Sequence, residues 1–195
     1  MELTADDSGV VLEGWVDPVD GSRDTVLDRG NTNSTAVFQL AGADDVTIRG
    51  FRITGATTGV SLPQDNGSDR VTVTGNEIFG NAYGVFVPGA NYLPSNGLLV
   101  SNNDVWGNAE YGIYVVGSSV VVTGNRVRAN RFGGISASYG MVSENTVWGE
   151  SGTGIFVVEA TARGNVVFDS GKGISGYASV IDANRVYRNT TGIEA

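Results

Sequence analysis

Carboxylates are the main side chains in this sequence that could do acid–base chemistry, because the chain contains no histidine and no cysteine. Histidine is the commonest general base and the commonest transition-metal ligand. This chain therefore lacks the residue that most often serves in either role. Acidic residues stand near one another in three places: Asp6-Asp7, Asp44-Asp45, and Asp17 with Asp20 and Asp24. Glycosidic cleavage needs two carboxylates that face one bond, whereas neighbouring residues of a strand point to opposite faces. The sequence therefore predicts no catalytic residue and favours a protein without enzymatic activity.

One loop carries acids that could gather a hard cation. The stretch SLPQDNGSD contains Asp65 and Asp69, which are the weak metal candidates of this chain. Calcium takes six to eight oxygen ligands, and this loop offers few. The sequence predicts no bound metal, with calcium as the alternative to test.

Aromatic side chains recur at one position of a repeated short strand, one residue after its core aliphatic residue. The column reads Phe79, Trp106, Arg128, Trp148, Phe168 and Tyr187. Alternation along a strand makes these side chains point outward, and we call the column the aromatic stripe. Contiguous exposed apolar surface usually marks a partner, and flat rings also stack on sugar faces. Two other interpretations stay open: a protein contact, or rings that only stabilise one another. A second candidate face carries Phe86, Tyr114 and Phe156.

The aromatic columns belong to an internal sequence repeat, which would place their side chains on successive units. A glycine followed by an aliphatic residue recurs at Gly59, Gly84, Gly112, Gly134, Gly154, Gly173 and Gly192. A turn asparagine recurs in the same rhythm, at Asn76, Asn103, Asn125, Asn145, Asn165 and Asn184. Within each unit, apolar residues alternate with a period of two and glycine, asparagine or aspartate interrupts them. Each unit is thus predicted to be one coil of three short strands, stacked in parallel on the next coil.

The asparagine column is predicted to be structural. Asparagine tolerates the left-handed conformation that a sharp corner needs, and its amide can bond to the asparagines above and below. Two columns of branched aliphatic residues are predicted to fill the interior. The first column is Val60, Val85, Ile113, Ile135, Ile155, Ile174 and Ile193. The second column is Ile53, Ile78, Val105, Val127, Val147, Val167 and Val186.

The repeat resembles that of the right-handed parallel β-helix family, the pectin-lyase-like superfamily. The residues that carry the resemblance are the G-N-x-[IV] corners, the G-[IV]-x-[VA] restarts, and the opening LTADDSGVVLEG, TVLDRG and DDVTIRGFRITG. The resemblance implies an all-β fold, a right-handed parallel β-helix (solenoid) of about eight three-stranded coils with an internal asparagine ladder. Residues 1–195 are predicted to form a single domain that is open at its C-terminal end and belongs to a longer chain or an assembly.

Composition excludes some partners. The formal charge of −9 argues against nucleic-acid binding, which needs a basic surface. No apolar run approaches the length of a membrane span, so no membrane contact is expected. The resemblance is to secreted proteins and implies an extracellular or cell-surface location. Copper handling, as in the accessory β-helix proteins of nitrous oxide reductase, is disfavoured by the absence of histidine and cysteine and by only two methionines.

The resemblance implies where a substrate would lie, but it transfers no catalytic residue. In enzymes of this family the substrate follows the outer face of the Gly-Ile-x-Val strand, whose outward column here carries one acid, Glu194. We therefore expect a non-catalytic extracellular scaffold or carbohydrate-associated module with a polysaccharide or glycan partner. Two alternatives stay open: a fragment of a polysaccharide lyase or glycoside hydrolase, and a fibre protein that self-associates through its open coil ends.

Overall fold

The computed structural model describes residues 1–30, 33, 35–63, 67–89 and 96–195. It confirms the predicted fold: a right-handed parallel β-helix that is nearly all β, with a 3-10 turn at Ala5–Asp7. Among the described residues, no helix is long and apolar enough to cross a membrane.

The strands of successive coils line up into three faces, which we call A, B and C. Face A contains Val11–Glu13, Thr47–Arg49, Thr72–Thr74, Leu99–Ser101, Thr161–Arg163 and Val180–Asp182. Face B contains Val26–Asp28, Arg52–Thr54, Glu77–Phe79, Asp104–Trp106, Arg126–Arg128, Thr146–Trp148, Val166–Phe168 and Arg185–Tyr187. Face C contains Glu2–Thr4, Ala36–Ala41, Thr58–Ser61, Tyr83–Val87, Thr153–Val158, Lys172–Tyr177 and Thr191–Glu194. Two long strands, Tyr111–Thr123 and Gly133–Ser143, run from face C onto face A of the following coil.

The coils pair in parallel and without slippage at the core positions. Val105 on face B, for example, aligns with Ile78 below it and Val127 above it. Both predicted aliphatic columns point inward and are fully buried over most of their length. The exception is the last coil, where Ile193 is 52% exposed because it has a neighbouring coil on one side only.

The predicted asparagine ladder runs between faces A and B. At each step one side-chain oxygen accepts two N–H groups; Asn125 Oδ1 accepts both the backbone N–H and the Nδ2 of Asn103, each at 3.0 Å. The Nδ2 group also donates to a carbonyl in the previous coil, as Asn103 does to Val73 at 2.9 Å. The buried amides are therefore satisfied along the stack, which stabilises a corner that excludes water.

The prediction that the ladder asparagines themselves adopt the left-handed conformation is wrong. The residue before each asparagine does so instead, at Gly75, Asn102, Gly124, Glu144, Gly164 and Ala183. The ladder side chain must point inward to reach its neighbours, so the preceding residue makes the turn of the chain.

Candidate functional site

Face B holds the predicted aromatic stripe as one continuous column. The Phe79 and Trp106 rings stack with centroids 4.7 Å apart and planes 4° from parallel. Phe168 stacks on Trp148 at 5.8 Å and on Tyr187 at 5.1 Å, again nearly parallel. In-register pairing of the strands produces this arrangement, because each ring aligns directly with the equivalent residue of the next coil.

Arg128 fills the one position in the stripe that lacks a ring. Its guanidinium carbon lies 5.3 Å from the Trp106 ring centroid and 5.6 Å from that of Trp148. The cation therefore contacts a ring on each side and closes the gap. Asp104 pairs with Arg128 and holds the guanidinium in place.

The stripe turns its ring edges, rather than its ring faces, toward solvent. Nearly parallel rings that stack along the helix axis cover each other's faces, and all six side chains are half-buried. Sugar stacking needs a free ring face. The geometry therefore favours the interpretation in which the side chains stabilise one another, with about 0.5–1.5 kcal/mol for each ring pair.

Face C carries a different group of rings, which we call the face C cluster: Tyr83, Phe86, Tyr111, Tyr114 and Phe132. Its rings are tilted by 33° to 62° and their centroids lie 4.5 to 6.3 Å apart. Tilted rings cannot cover one another fully, and Phe132 is 55% exposed. The cluster spans three coils, and its tilted packing leaves the ring faces less covered than in the stripe.

The sequence identified only part of this cluster. Phe86 and Tyr114 belong to it, whereas Phe156 stands apart, 37% exposed, because the buried Ser136 separates it from Tyr114. Tyr83 was missed because strict alternation from Val85 would turn it inward.

The same reasoning missed Tyr111 and Phe132. The alternation breaks at the glycine of each coil: a Cβ on Gly84 would lie 2.4 Å from the carbonyl oxygen of Gly112. The backbone is therefore packed directly against the next coil, and the residue before the glycine turns outward. An aromatic residue just before a Gly-aliphatic pair was the signal available for Tyr83 and Tyr111, whereas Phe132 precedes Gly133-Gly134 and lacks that signal.

A shallow groove of about 290 Å³ continues from Phe86 toward the first coils. It is lined mainly by small polar residues and includes Gln39, Thr58 and Ser61. Hydroxyl and amide groups therefore lie beside the ring of Phe86, so the surface combines hydrogen-bonding groups with an apolar platform.

The two acids on the face C strands that the structure describes, Glu2 and Glu194, lie at opposite ends of the helix. Glu194 pairs with Lys172 at one end of the helix. At the other end, Glu2 accepts a hydrogen bond from Gln39 Nε2 at 3.4 Å. Tyr83 belongs to the cluster, and burial, followed by the charge of Glu110, raises the pKa of its phenol. A phenol shifted in that direction keeps its proton and is not prepared to abstract one.

A second buried ladder borders face B on its other side, and the sequence reasoning missed it. Its members are Asn81, Asn108, Asn130, Glu150, Ser170 and Asn189. The available signal was an asparagine five residues after four of the six residues of the first ladder. Glu150 is 2% exposed, and its Oε2 accepts the backbone N–H of Asn130 at 2.7 Å. Burial raises the pKa of this carboxyl to about 8, although the hydrogen bonds from Asn130 oppose the shift.

The predicted cation loop lies only partly within the described residues. Asp65 falls outside them, while Asp69 Oδ1 accepts the backbone N–H of Asn96 at 2.8 Å. Arg70, the next residue, pairs with Asp44 and Asp45. Asp69 therefore joins a corner hydrogen-bond network, and no group of three or more acidic, histidine or cysteine side chains gathers in the described part of the chain.

Comparison with known proteins agrees with this fold. The alginate lyase from Paenibacillus sp. str. FPU-7 is similar in structure, with a TM-score of 0.55 and 15% sequence identity over 100% of this chain and 88% of that chain. At that identity the similarity shows the fold alone. No match is found among curated proteins. The sequence matches the family described as NosD, periplasmic copper-binding protein, over residues 18–192. Because that match spans most of the sequence, the chain belongs to the NosD family.

Proposed function

We propose that this chain is a non-catalytic β-helix module that binds an extended neutral carbohydrate along face C, outside the cytoplasm. The observation that carries the proposal is the face C cluster, whose tilted rings extend over three coils beside a groove whose lining includes hydroxyl and amide side chains. The family description, which refers to the periplasm, supports the location.

Sugar recognition fits this surface better than it fits the aromatic stripe. Pyranose rings present apolar C–H faces and a rim of hydroxyl groups, so they need free ring faces next to hydrogen-bonding side chains. The face C cluster offers the rings, and Gln39 and Ser61 line the adjoining groove. The stripe on face B offers ring edges, because its members stack on one another.

The electrostatics favour a neutral polymer. The net charge of −9 repels polyanions in general, and the cluster itself contains no cationic side chain. Among the described residues of this surface, no two acids are placed to face one glycosidic bond, since Glu2 and Glu194 lie at opposite ends of the helix. Binding without bond cleavage is the activity that these groups can support.

Copper, which the family description includes, does not fit the donor set of this chain. Histidine and cysteine are absent, and the two methionines, Met1 and Met141, lie far apart in the sequence. Copper sites are built from imidazole, thiolate and thioether ligands. Carboxylates are the remaining donors, and they form no cluster among the described residues. The proposal therefore includes no step that depends on copper.

Affinity gel electrophoresis with soluble neutral polysaccharides, xyloglucan and mixed-linkage β-glucan, tests the proposal. Retardation of the natural protein is expected, together with at least fivefold weaker binding by Phe132→Ala and Tyr114→Ala, which is about 1 kcal/mol for a lost ring contact. Phe168→Ala is the matched control, since it removes a ring from the stripe and should change the affinity less than twofold.

Two results would contradict the proposal. Equal retardation of all variants would remove the face C cluster as the binding surface. Release of unsaturated uronate ends from alginate by the natural protein would show catalysis and would support the polysaccharide lyase alternative.

A further inference from the structure

A polar pocket of about 210 Å³ lies at the corner between faces A and B, away from the face C cluster. The N-terminal loop and two neighbouring coils form its walls. The lining residues are Arg23, Asn102, Asn103, Asp104, Gly124 and Arg126. A ligand in this pocket would be independent of the carbohydrate proposed for face C.

Arg23 reaches the pocket because the loop 15–25 folds back over the corner. A bridge between Val16 and Arg23 closes the loop, and the backbone N–H of Trp15 donates to Thr25 Oγ1 at 2.8 Å. The Nε of Arg23 donates to the carbonyl oxygen of Gly75 at 2.5 Å, which fixes the side chain across the neighbouring coils. The two terminal nitrogens of Arg23 have no hydrogen-bond or ion-pair partner among the described residues.

Arg126 supplies a second guanidinium. It is exposed, its guanidinium carbon lies 5.9 Å from the Trp148 ring centroid, and it forms no ion pair with any residue that the structure describes. Asp104 is the one acid in the lining, and it pairs with Arg128 instead. Two arginines that form no ion pair among the described residues therefore line one small pocket in a chain whose net charge is −9.

Asn102 adds an amide at the rim. Its backbone is left-handed, with a φ of 54°, and its side chain is exposed over Gly124. A Cβ on Gly124 would lie 2.7 Å from Asn102 Oδ1. The absence of a side chain at Gly124 therefore makes space for the Asn102 amide. The amide Nδ2 is a hydrogen-bond donor without a partner in the described ranges.

We propose that this pocket binds a small dicarboxylate of about succinate size. Guanidinium groups bind carboxylates through two parallel hydrogen bonds. The Gly75 carbonyl that anchors Arg23 and the backbone of Arg126 lie two coils apart, about 10 Å at the spacing of paired strands. Arg23 and Arg126 therefore line the pocket from different coils, which lets each arginine meet one carboxylate of a single ligand. A phosphate dianion would concentrate both charges beside Asp104, which disfavours it.

Titration of the protein with sodium succinate at fixed ionic strength tests this assignment, with calorimetry and tryptophan fluorescence as the readouts. Saturable binding is expected, and Arg23→Gln and Arg126→Gln should each weaken it at least tenfold. Arg185→Gln is the matched control, because Arg185 occupies the same column of face B and contacts a ring at 5.0 Å, but it lies three coils away. Its affinity should stay within twofold of the natural protein.

Butyrate, which lacks one carboxylate, should bind at least tenfold more weakly than succinate. Butyrate that binds as tightly as succinate would overturn the assignment of one carboxylate to each arginine. Inorganic phosphate that binds more tightly than succinate would overturn the choice of ligand, and the absence of saturable binding would overturn the site. Arg23→Gln could weaken binding by loosening the loop that Arg23 anchors to Gly75. Arg126 anchors no other segment, so weaker binding by Arg126→Gln reports on the pocket itself.

Discussion

Glu150 gives the β-helix a specific dependence on pH, which Glu150→Gln should remove. The carboxyl is buried at a ladder position where the neighbouring coils use asparagine and serine. Glutamine has the same shape as the protonated acid and carries no charge at any pH. The substitution keeps an oxygen acceptor for the backbone N–H of Asn130 and removes the titration, and it replaces the oxygen that accepts Asn130 Nδ2 at 3.3 Å by an NH2 group.

The direction and size of the effect follow from the raised pKa. The ordinary value of 4.5 applies to the unfolded chain, and the folded protein raises it to about 8. Between these values the folded protein retains a proton that the unfolded chain releases, so stability is full below pH 4.5 and falls as pH rises toward 8. At about 1.4 kcal/mol for each pH unit, the loss reaches at most about 5 kcal/mol.

Urea unfolding at pH 5, 6, 7 and 8 measures this loss. The free energy of unfolding of the natural protein should fall with pH at a slope approaching 1.4 kcal/mol per unit, while that of Glu150→Gln should show a smaller slope. Glu144→Gln is the matched control on the same coil, since Glu144 is exposed, and it should retain the natural slope. Parallel pH profiles for the natural protein and Glu150→Gln would refute the reasoning.

Three further predictions concern the packing of the coils. Asn145→Ala should destabilise the fold by at least about 2 kcal/mol, because Asn145 Oδ1 accepts two buried N–H groups, and an unchanged melting temperature would contradict the ladder. Ile135→Ala should cost about 2–5 kcal/mol in urea unfolding, whereas Ile193→Ala, at a half-exposed site, should cost less than about 1 kcal/mol; equal losses would contradict the burial pattern. Arg128→Leu should cost about 1–2 kcal/mol by loss of two ring contacts, and a loss no larger than that of the exposed Arg163→Leu would show that Arg128 does not bridge the stripe.

Much of the fold could be predicted because residues with the same structural role, such as the corner asparagine, recur at the same position of successive coils. A buried corner without water needs side-chain amides, and the asparagine column from Asn76 onward shows this directly. The second ladder was missed because Glu150 and Ser170 interrupt its asparagines. Each of them accepts the backbone N–H of the ladder residue one coil earlier, as the asparagines do. The hydrogen bonds of the ladder therefore continue where the asparagine repeat stops.

The site could be predicted less well because it depends on breaks in the repeat. Alternation located Phe86 and Tyr114, but the close backbone contact at Gly84 turns Tyr83 outward against that rule. The stripe was predicted with the correct members, yet its ring faces are covered through stacking, which the sequence does not specify. Arg23 lies in an irregular loop, and only folding brings it to Gly75.

The most direct test of the central claim is ¹⁹F NMR of protein labelled with fluorotyrosine, during titration with xyloglucan oligosaccharides. Tyrosine-to-phenylalanine variants assign the signals. Carbohydrate binding on face C predicts that the signals of Tyr111 and Tyr114 shift in a saturable way while that of Tyr187 in the stripe does not. A shift of Tyr187 without shifts of Tyr111 and Tyr114 would contradict the claim.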